Sequence, residues 1–205
     1  MASSFYPPFQ TTQHIIPTTP PIEPQLYLDT NIILDVINNR WPPSANLIKR
    51  IESEHWKCIT SRFSFVEMLD AEHEQCYVDI KLAEGYTLSR IRGLLGNRNQ
   101  KAQRLPIRDF ESVHAKLYDA RTSVLSCVKF QYPTSESFWN KVDSYCDRTE
   151  IAVEDAMHLA FAQESECNIL ITRDKDFCIT ADDFIIATPP EGIEIALAKL
   201  NKRSK

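Results

Sequence analysis

Five acidic residues stand out because each follows a short apolar run or lies near the start of a helical stretch: Asp29, Glu67, Asp155, Asp174 and Asp176. Carboxylates that converge repel one another, and like charges at short range raise each other's pKa. A hard divalent cation removes that conflict, and ligands that are all oxygen atoms select Mg²⁺ or Mn²⁺ over zinc. If the fold brings these acids together, the sequence predicts a magnesium or manganese site.

Each of these acids also has a purely structural interpretation. Asp29 can cap the helix that follows it, because its side-chain oxygen can accept a hydrogen bond from an unpaired N–H group. Ser64 and Glu67 have the spacing of a capping box, in which Glu67 would brace the start of its own helix. Asp155 is favoured in a first turn by the helix macrodipole, and the other two aspartates are common turn residues. The residues alone leave both interpretations open.

The elements that must position these acids are short apolar strands alternating with helices. We predict strands at 25–28, 56–60, 168–172 and 183–187, and helices at 31–37, 42–51, 63–71, 77–95, 110–126, 138–146, 153–163 and 191–202. Such alternation is typical of a three-layer α/β/α fold with a central parallel sheet. Ligand sites in these sheets form beyond the carboxyl ends of the strands, where Asp29 and Asp174 are predicted to lie.

The ends of the chain and its composition limit the remaining possibilities. Residues 1–24 hold six of the twelve prolines, which predicts an irregular, proline-rich N-terminal arm before a single domain over 25–205. No apolar run approaches the roughly 18 residues that span a bilayer. The N-terminus lacks the basic start and apolar core of a secretory signal. We therefore expect a cytoplasmic protein with no membrane partner.

Cysteine usage and charge exclude some functions and suggest a binding segment. The six cysteines include no C-x-x-C pair, which argues against a structural zinc site or a disulfide framework. A net charge of −5 argues against a protein that coats nucleic acid. Residues 89–108, however, carry six basic residues and no acid, which leaves −11 elsewhere. This segment is either a solvated loop or a phosphate-binding surface, for which we single out Arg98, Lys101 and Arg104.

Four stretches resemble, in order, the motifs of the PIN-domain ribonuclease family, which includes the VapC-like toxin nucleases: residues 26–34 (LYLDTNIIL), 64–69 (SFVEML), 154–162 (EDAMHLAFA) and 169–177 (ILITRDKDF). Asp29, Glu67 and Asp155 stand at the acids of the first three motifs. The acid of the fourth falls at Asp174 or Asp176. Each motif alone is weakly specific, but the ordered set covers residues 25–187 and is fairly specific.

The resemblance implies an endoribonuclease that hydrolyses RNA phosphodiester bonds with Mg²⁺ or Mn²⁺. Asp29, Asp155 and Asp174 (or Asp176) would hold the metal. Glu67 would hold a second ion or take a proton from water. Polar groups that follow two of the strands would orient these carboxylates by hydrogen bonds: Thr30, Asn31 and Thr172. His158 is interpreted as packing or as support for the site rather than as a catalyst.

The resemblance also bears on organisation, partners and alternatives. Residues 70–150 are long for a compact VapC-like toxin, so we expect extra helices there as an insertion. The chain could be the toxin of a toxin–antitoxin pair, with an antitoxin protein as partner, and we expect a homodimer. The alternative is a catalytically degenerate PIN domain that acts as an RNA-binding or scaffold module. Such a module should have lost some of its acids, whereas all four motif positions here carry one.

Overall fold

A five-stranded sheet forms the centre of the protein, seen here in a computed structural model that describes residues 23–96, 105–149, 151–180 and 183–203. Its strands, in chain order, are β1 (Gln25–Leu28), β2 (Lys57–Ser61), β3 (Lys129–Gln131), β4 (Ile169–Ile171) and β5 (Ile185–Ala187). The spatial order is β3-β2-β1-β4-β5, and every pairing is parallel. The prediction of a central parallel sheet is therefore confirmed.

Helices cover both faces of this sheet, which confirms the predicted three-layer α/β/α fold. They are α1 (Thr30–Ile37), α2 (Pro42–Ser53), α3 (Arg62–Ala83), α4 (Leu88–Leu95), α5 (Ile107–Thr122), α6 (Phe138–Thr149), α7 (Val153–Glu164) and α8 (Glu191–Arg203). Within the described ranges, no helix is long and apolar enough to cross a membrane. Residues 1–22 of the predicted arm lie outside the described residues.

Alternating side chains of the strands divide the interior into two cores. Successive side chains of a strand point to opposite faces, so β1 contributes Leu26 and Leu28 to one core and Tyr27 to the other. The first core is completed by apolar residues of α1, α2 and α8, and the second by residues of α6 and α7. Tyr27 is fully buried beside Leu170 of β4 in the second core. The unbroken apolar runs are thus explained by burial on both sides.

Two elements differ from the sequence predictions. β3 was not predicted, because it has three residues, none of them buried, at the edge of the sheet. The third helix runs without a break from Arg62 to Ala83, where the sequence suggested two separate stretches. Ser61 caps this helix, since its side chain accepts from the N–H of Ser64 at 3.3 Å. The residues in the middle of α3 therefore share one continuous helical periodicity.

The strand order determines where a ligand can bind. β2 and β3 lie on one side of β1, and β4 and β5 lie on the other, so the order reverses between β1 and β4. In open parallel sheets the crevice at such a reversal, outside the carboxyl ends of the strands, is the usual ligand site. Asp29 directly follows β1, and Asp174 follows β4 by three residues.

Candidate active site

A cleft of about 390 Å³ opens at the carboxyl end of the sheet and is lined by six carboxylates: Asp29, Glu67, Asp70, Glu74, Asp155 and Asp174. They come from the ends of β1 and β4, from α3 and from the first turn of α7. The fold therefore gathers, in one cleft, an acid from each of the four stretches singled out in the sequence.

The two aspartates after β4 have different positions. Asp174 lines the cleft, whereas Asp176 is exposed and is not among the cleft's lining residues. Asp176 begins a short 3-10 helix that ends at Thr180, and its N–H donates to Asp174 Oδ1 at 2.9 Å. Of the pair, Asp174 is therefore the one placed to contribute an oxygen to the cleft.

Asp29 is held by hydrogen bonds to both of its carboxylate oxygens. Oδ1 accepts from the N–H of Thr30 at 2.6 Å, so Asp29 does cap α1. Oδ2 accepts from Asn31 Nδ2 at 2.5 Å and from the Thr172 hydroxyl at 2.6 Å. The Thr172 hydroxyl also accepts from the N–H of Asp174 at 2.8 Å. The cap and the site are thus the same group, and Thr172 links the first acid to the fourth.

Glu67 does not act as a capping-box brace. The Ser64 hydroxyl lies 2.7 Å from the Thr60 hydroxyl, and the Glu67 side chain extends away from the helix start. Its Oε2 accepts from the Thr30 hydroxyl and lies 2.9 Å from Nε2 of His158. The structural interpretation of Glu67 is therefore wrong, and its carboxylate is turned to the cleft.

His158 supports Glu67 from beneath the cleft. Its side chain is only 2% exposed, and its Nδ1 lies 2.5 Å from Oη of the buried Tyr27. Burial lowers the pKa of His158, but the contacts with Tyr27 and Glu67 outweigh burial and raise that pKa well above its usual value. Tyr27 escaped the sequence analysis because it looked like one more apolar residue of a buried strand.

The pKa values of the acids show strain among the carboxylates. Burial, followed by repulsion from Asp174 and Asp29, raises the pKa of Asp155 to about 6. Burial also raises the pKa of Asp29, despite its hydrogen bonds. Burial acts in the same direction on Glu67, but the hydrogen bond and charge of His158 outweigh it and lower the pKa of Glu67. Asp155 is thus the acid that is ionised at the greatest cost.

These donors fit a hard divalent cation. The carboxylates offer only oxygen, the ligand type that Mg²⁺ and Mn²⁺ prefer, and Asp155 accepts no hydrogen bond from any described residue. A cation beside Asp155 would relieve the repulsion that raises its pKa. Within the described ranges, no three His, Cys, Asp or Glu side chains already stand close enough to coordinate one ion. Binding would therefore require the carboxylates to approach one another.

A buried ion pair connects α1 to the segment that carries Asp174. Arg173 pairs with Asp35 at 2.9 Å, and its guanidinium lies 5.1 Å from the centre of the Trp41 ring. Asp35 is 1% exposed and also accepts from the Ser44 hydroxyl at 3.3 Å. Removing one partner of a buried pair costs about 3 kcal/mol, because it leaves a buried charge unpaired. The pair therefore fixes the position of the β4 turn relative to α1.

Two acids of the cleft, Asp70 and Glu74, were missed in the sequence. They follow Glu67 by three and seven residues on α3, so all three lie on one face of the helix. The helical spacing was a usable signal. It was overlooked because the helix was predicted to end near residue 71.

The predicted phosphate-binding residues Arg98, Lys101 and Arg104 lie outside the described residues. The described flank of this segment is α4, on which Arg90 and Arg92 are exposed. The Arg90 guanidinium lies 4.3 Å from the centre of the Tyr86 ring.

Similarity to known proteins extends over most of the chain. The chain is similar in structure to "Crystal structure of VapBC2 from Rickettsia felis bound to a DNA fragment from their promoter", with 12% identity and a TM-score of 0.49, over 80% of this chain and 97% of that one. Similarity at this level says nothing about activity or partners. None of the curated proteins compared matches the chain. The family model described as "PIN domain" matches residues 26–183, which is most of the chain and includes all four motifs, so the chain belongs to the PIN-domain family.

Proposed function

We propose that this chain is a metal-dependent endoribonuclease that hydrolyses RNA phosphodiester bonds in the acidic cleft. Membership of the PIN-domain family supports a nuclease that acts on nucleic acid. The observation that carries the proposal is that Asp29, Glu67, Asp155 and Asp174, distant in sequence, line one cleft at the reversal of strand order. A degenerate binding module would have no need to keep four mutually repelling carboxylates in one place.

In this proposal Asp29, Asp155 and Asp174 hold Mg²⁺ or Mn²⁺. The bound metal would supply a water of lowered pKa and neutralise charge on the phosphate. Thr172 and Asn31 hold the Asp29 carboxylate in one orientation by hydrogen bonds to Oδ2. The hydrogen bond from His158 favours the ionised form of Glu67, which can then orient a water molecule beside the phosphate.

The test of this function is a cleavage assay on total RNA and on a labelled single-stranded RNA. We expect Mg²⁺ or Mn²⁺ to support internal cuts, EDTA to stop them, and Asp29→Asn to remove them without unfolding the chain, as judged by circular dichroism. Mapping the product ends identifies the cut sites. If wild-type protein binds RNA but cuts none with either metal, the degenerate module is the correct interpretation.

We also propose that the basic segment over 89–108 holds the RNA backbone. Its support is the charge segregation of the sequence together with the exposed Arg90 and Arg92 on α4. Each phosphate that the protein no longer neutralises should reduce the salt dependence of single-strand binding by about 0.7 in log–log slope. We expect a variant with three charge reversals, Arg98→Glu, Lys101→Glu and Arg104→Glu, to bind labelled RNA more weakly and with a shallower salt dependence.

A matched control for this variant reverses three exposed lysines on α2 and α8: Lys49, Lys199 and Lys202. The control changes the net charge by the same amount, so it separates local contact from overall charge. Equal RNA affinity and salt slope in the two variants would show that the basic segment is only a solvated loop.

The biological setting stays a prediction from the sequence resemblance. We propose that a small antitoxin protein covers the cleft and that the chain forms a homodimer. Mass spectrometry of proteins that copurify with the tagged chain tests the first statement, and light scattering of the purified chain tests the second. A chain that purifies alone and scatters as a monomer would contradict both.

A further inference from the structure

A buried chain of hydrogen bonds runs from β1 through α7 to the acidic cleft. Tyr27 Oη lies 2.5 Å from His158 Nδ1, and His158 Nε2 lies 2.9 Å from Glu67 Oε2. Tyr27 is completely buried and the His158 side chain is 2% exposed, while Glu67 lines the cleft. The three residues come from three different elements, so the tertiary fold alone brings them together.

The proton positions in this chain of hydrogen bonds do not depend on the charge of the imidazole. An ionised carboxylate can only accept hydrogen bonds, so His158 Nε2 must carry the proton that it shares with Glu67. If His158 is neutral, Nδ1 then accepts from the Tyr27 hydroxyl. If it is charged, Nδ1 donates to Tyr27 Oη instead. In both states Nε2–H points to Glu67, so Tyr27 fixes the ring orientation that Glu67 requires.

The hydrogen bonds on Glu67 are unequal. Oε2 accepts from His158 and from the Thr30 hydroxyl, which follows Asp29 at the start of α1. Oε1 accepts no hydrogen bond from any described residue. One oxygen is thus committed to the protein, and the other is left for whatever enters the cleft.

We propose that Tyr27 and His158 are positioning residues that hold Glu67 so that Oε2 is bound to the protein and Oε1 is presented to a metal ion or water. This inference rests on the proposed nuclease function and adds to it two residues that do not touch RNA. It differs from a packing role in a measurable way. A packing role is restored by any side chain of similar volume, whereas a positioning role needs a donor at Nε2.

The test compares variants that keep or remove the donor. His158→Gln keeps an N–H group that can reach Glu67, whereas His158→Leu fills space without one. Partners that orient metal-site carboxylates typically change metal affinity or activity by about 10–100-fold. We expect kcat to fall about 100-fold in His158→Leu and about tenfold in His158→Gln. The Mn²⁺ concentration for half-maximal cleavage should rise, with little change in KM for RNA.

Tyr27→Phe tests the outer hydrogen bond with a change of one oxygen atom. We expect about a tenfold loss in kcat, since the imidazole is no longer held in one orientation. Tyr145→Phe is the matched control, because Tyr145 is also a buried tyrosine of the second core but does not line the cleft. It should leave kcat and the Mn²⁺ dependence unchanged.

A measurement free of RNA and metal separates this inference from the function on which it rests. Nitrogen-15 NMR of the imidazole in wild-type protein should show His158 protonated at Nε2. Glu67→Gln should shift the Nε2 signal, and Tyr27→Phe should shift Nδ1. If wild-type protein cleaves no RNA, the proposed function fails, and NMR with Mn²⁺ binding still decides the positioning role. That role is overturned if Nε2 is unprotonated, or if His158→Leu and His158→Gln have equal kcat and Mn²⁺ dependence.

Discussion

Replacing Asp155 by asparagine is expected to abolish RNA cleavage and, at the same time, to stabilise the folded chain. Burial and the neighbouring Asp174 and Asp29 raise the pKa of Asp155 from 3.8 to about 6. Folding therefore favours its protonated form, and ionising it at neutral pH opposes folding. The amide that replaces the carboxylate in Asp155→Asn carries no charge, so that cost disappears together with a metal ligand.

The size of this effect follows from the pKa and from the exposure of the side chain. One pKa unit corresponds to about 1.4 kcal/mol, but Asp155 is only half-buried, and solvent screening reduces the net gain to about 1 kcal/mol. The loss of a favourable acid in the first turn of α7, worth about 0.5 kcal/mol, reduces the gain further but does not reverse it. The melting temperature in EDTA at pH 7.5 should rise by about 2 °C.

Single-turnover cleavage by Asp155→Asn should fall roughly 1,000-fold, as when a group that stabilises transition-state charge is removed. Asp143→Asn is the control, because Asp143 is an exposed acid of α6 outside the cleft. It should change neither rate nor melting temperature. A variant at position 155 that melts lower and still cleaves would show that Asp155 is a structural residue of α7.

The second large effect is the dependence of metal binding on pH. Above pH 6 Asp155 is ionised and available to the cation, while below pH 6 a proton competes for the same oxygen. One proton in competition lowers metal affinity about tenfold for each pH unit below the pKa. At 100 times its dissociation constant, Mg²⁺ or Mn²⁺ should stabilise the folded chain by about 2.7 kcal/mol at pH 7.5.

The same carboxyl gives the opposite trend without metal. Because the pKa of Asp155 is raised in the folded state, its contribution to stability is highest at low pH and is lost as pH rises from 3.8 through 6. Differential scanning calorimetry of wild type and Asp155→Asn, in EDTA and in Mn²⁺, at pH 5 and pH 7.5, separates the two trends. Equal stabilisation of both proteins by Mn²⁺ would place the ion away from Asp155.

Local sequence patterns were sufficient for the sheet and for the acids at its edge. β1 and β4 are apolar runs ended by polar turns, so burial on both faces and the position of Asp29 follow directly. β3 could not be predicted, because a three-residue edge strand with exposed side chains carries no apolar pattern. Asp174 and Asp176 were separated only by the geometry of the turn, in which one accepts from the backbone of the other.

The contacts that tune the site depend on tertiary structure. The bond between Tyr27 and His158 joins residues that are 131 positions apart, and the pair of Asp35 with Arg173 joins residues 138 apart. No local period reports such pairings. Asp70 and Glu74 were a different case, because a longer α3 would have placed them beside Glu67 at helical spacing.

The most direct test of the central claim is the chemistry of the cut itself. An RNA with a single 2′-deoxy nucleotide at the mapped cut site separates water attack from attack by the neighbouring 2′-hydroxyl. The acidic cleft predicts that wild-type protein with Mn²⁺ cuts this RNA at the same bond as the all-ribose strand. It also predicts that no 2′,3′-cyclic phosphate forms and that EDTA stops the cut. Cleavage that persists in EDTA, requires the 2′-hydroxyl and leaves a cyclic phosphate would contradict the account.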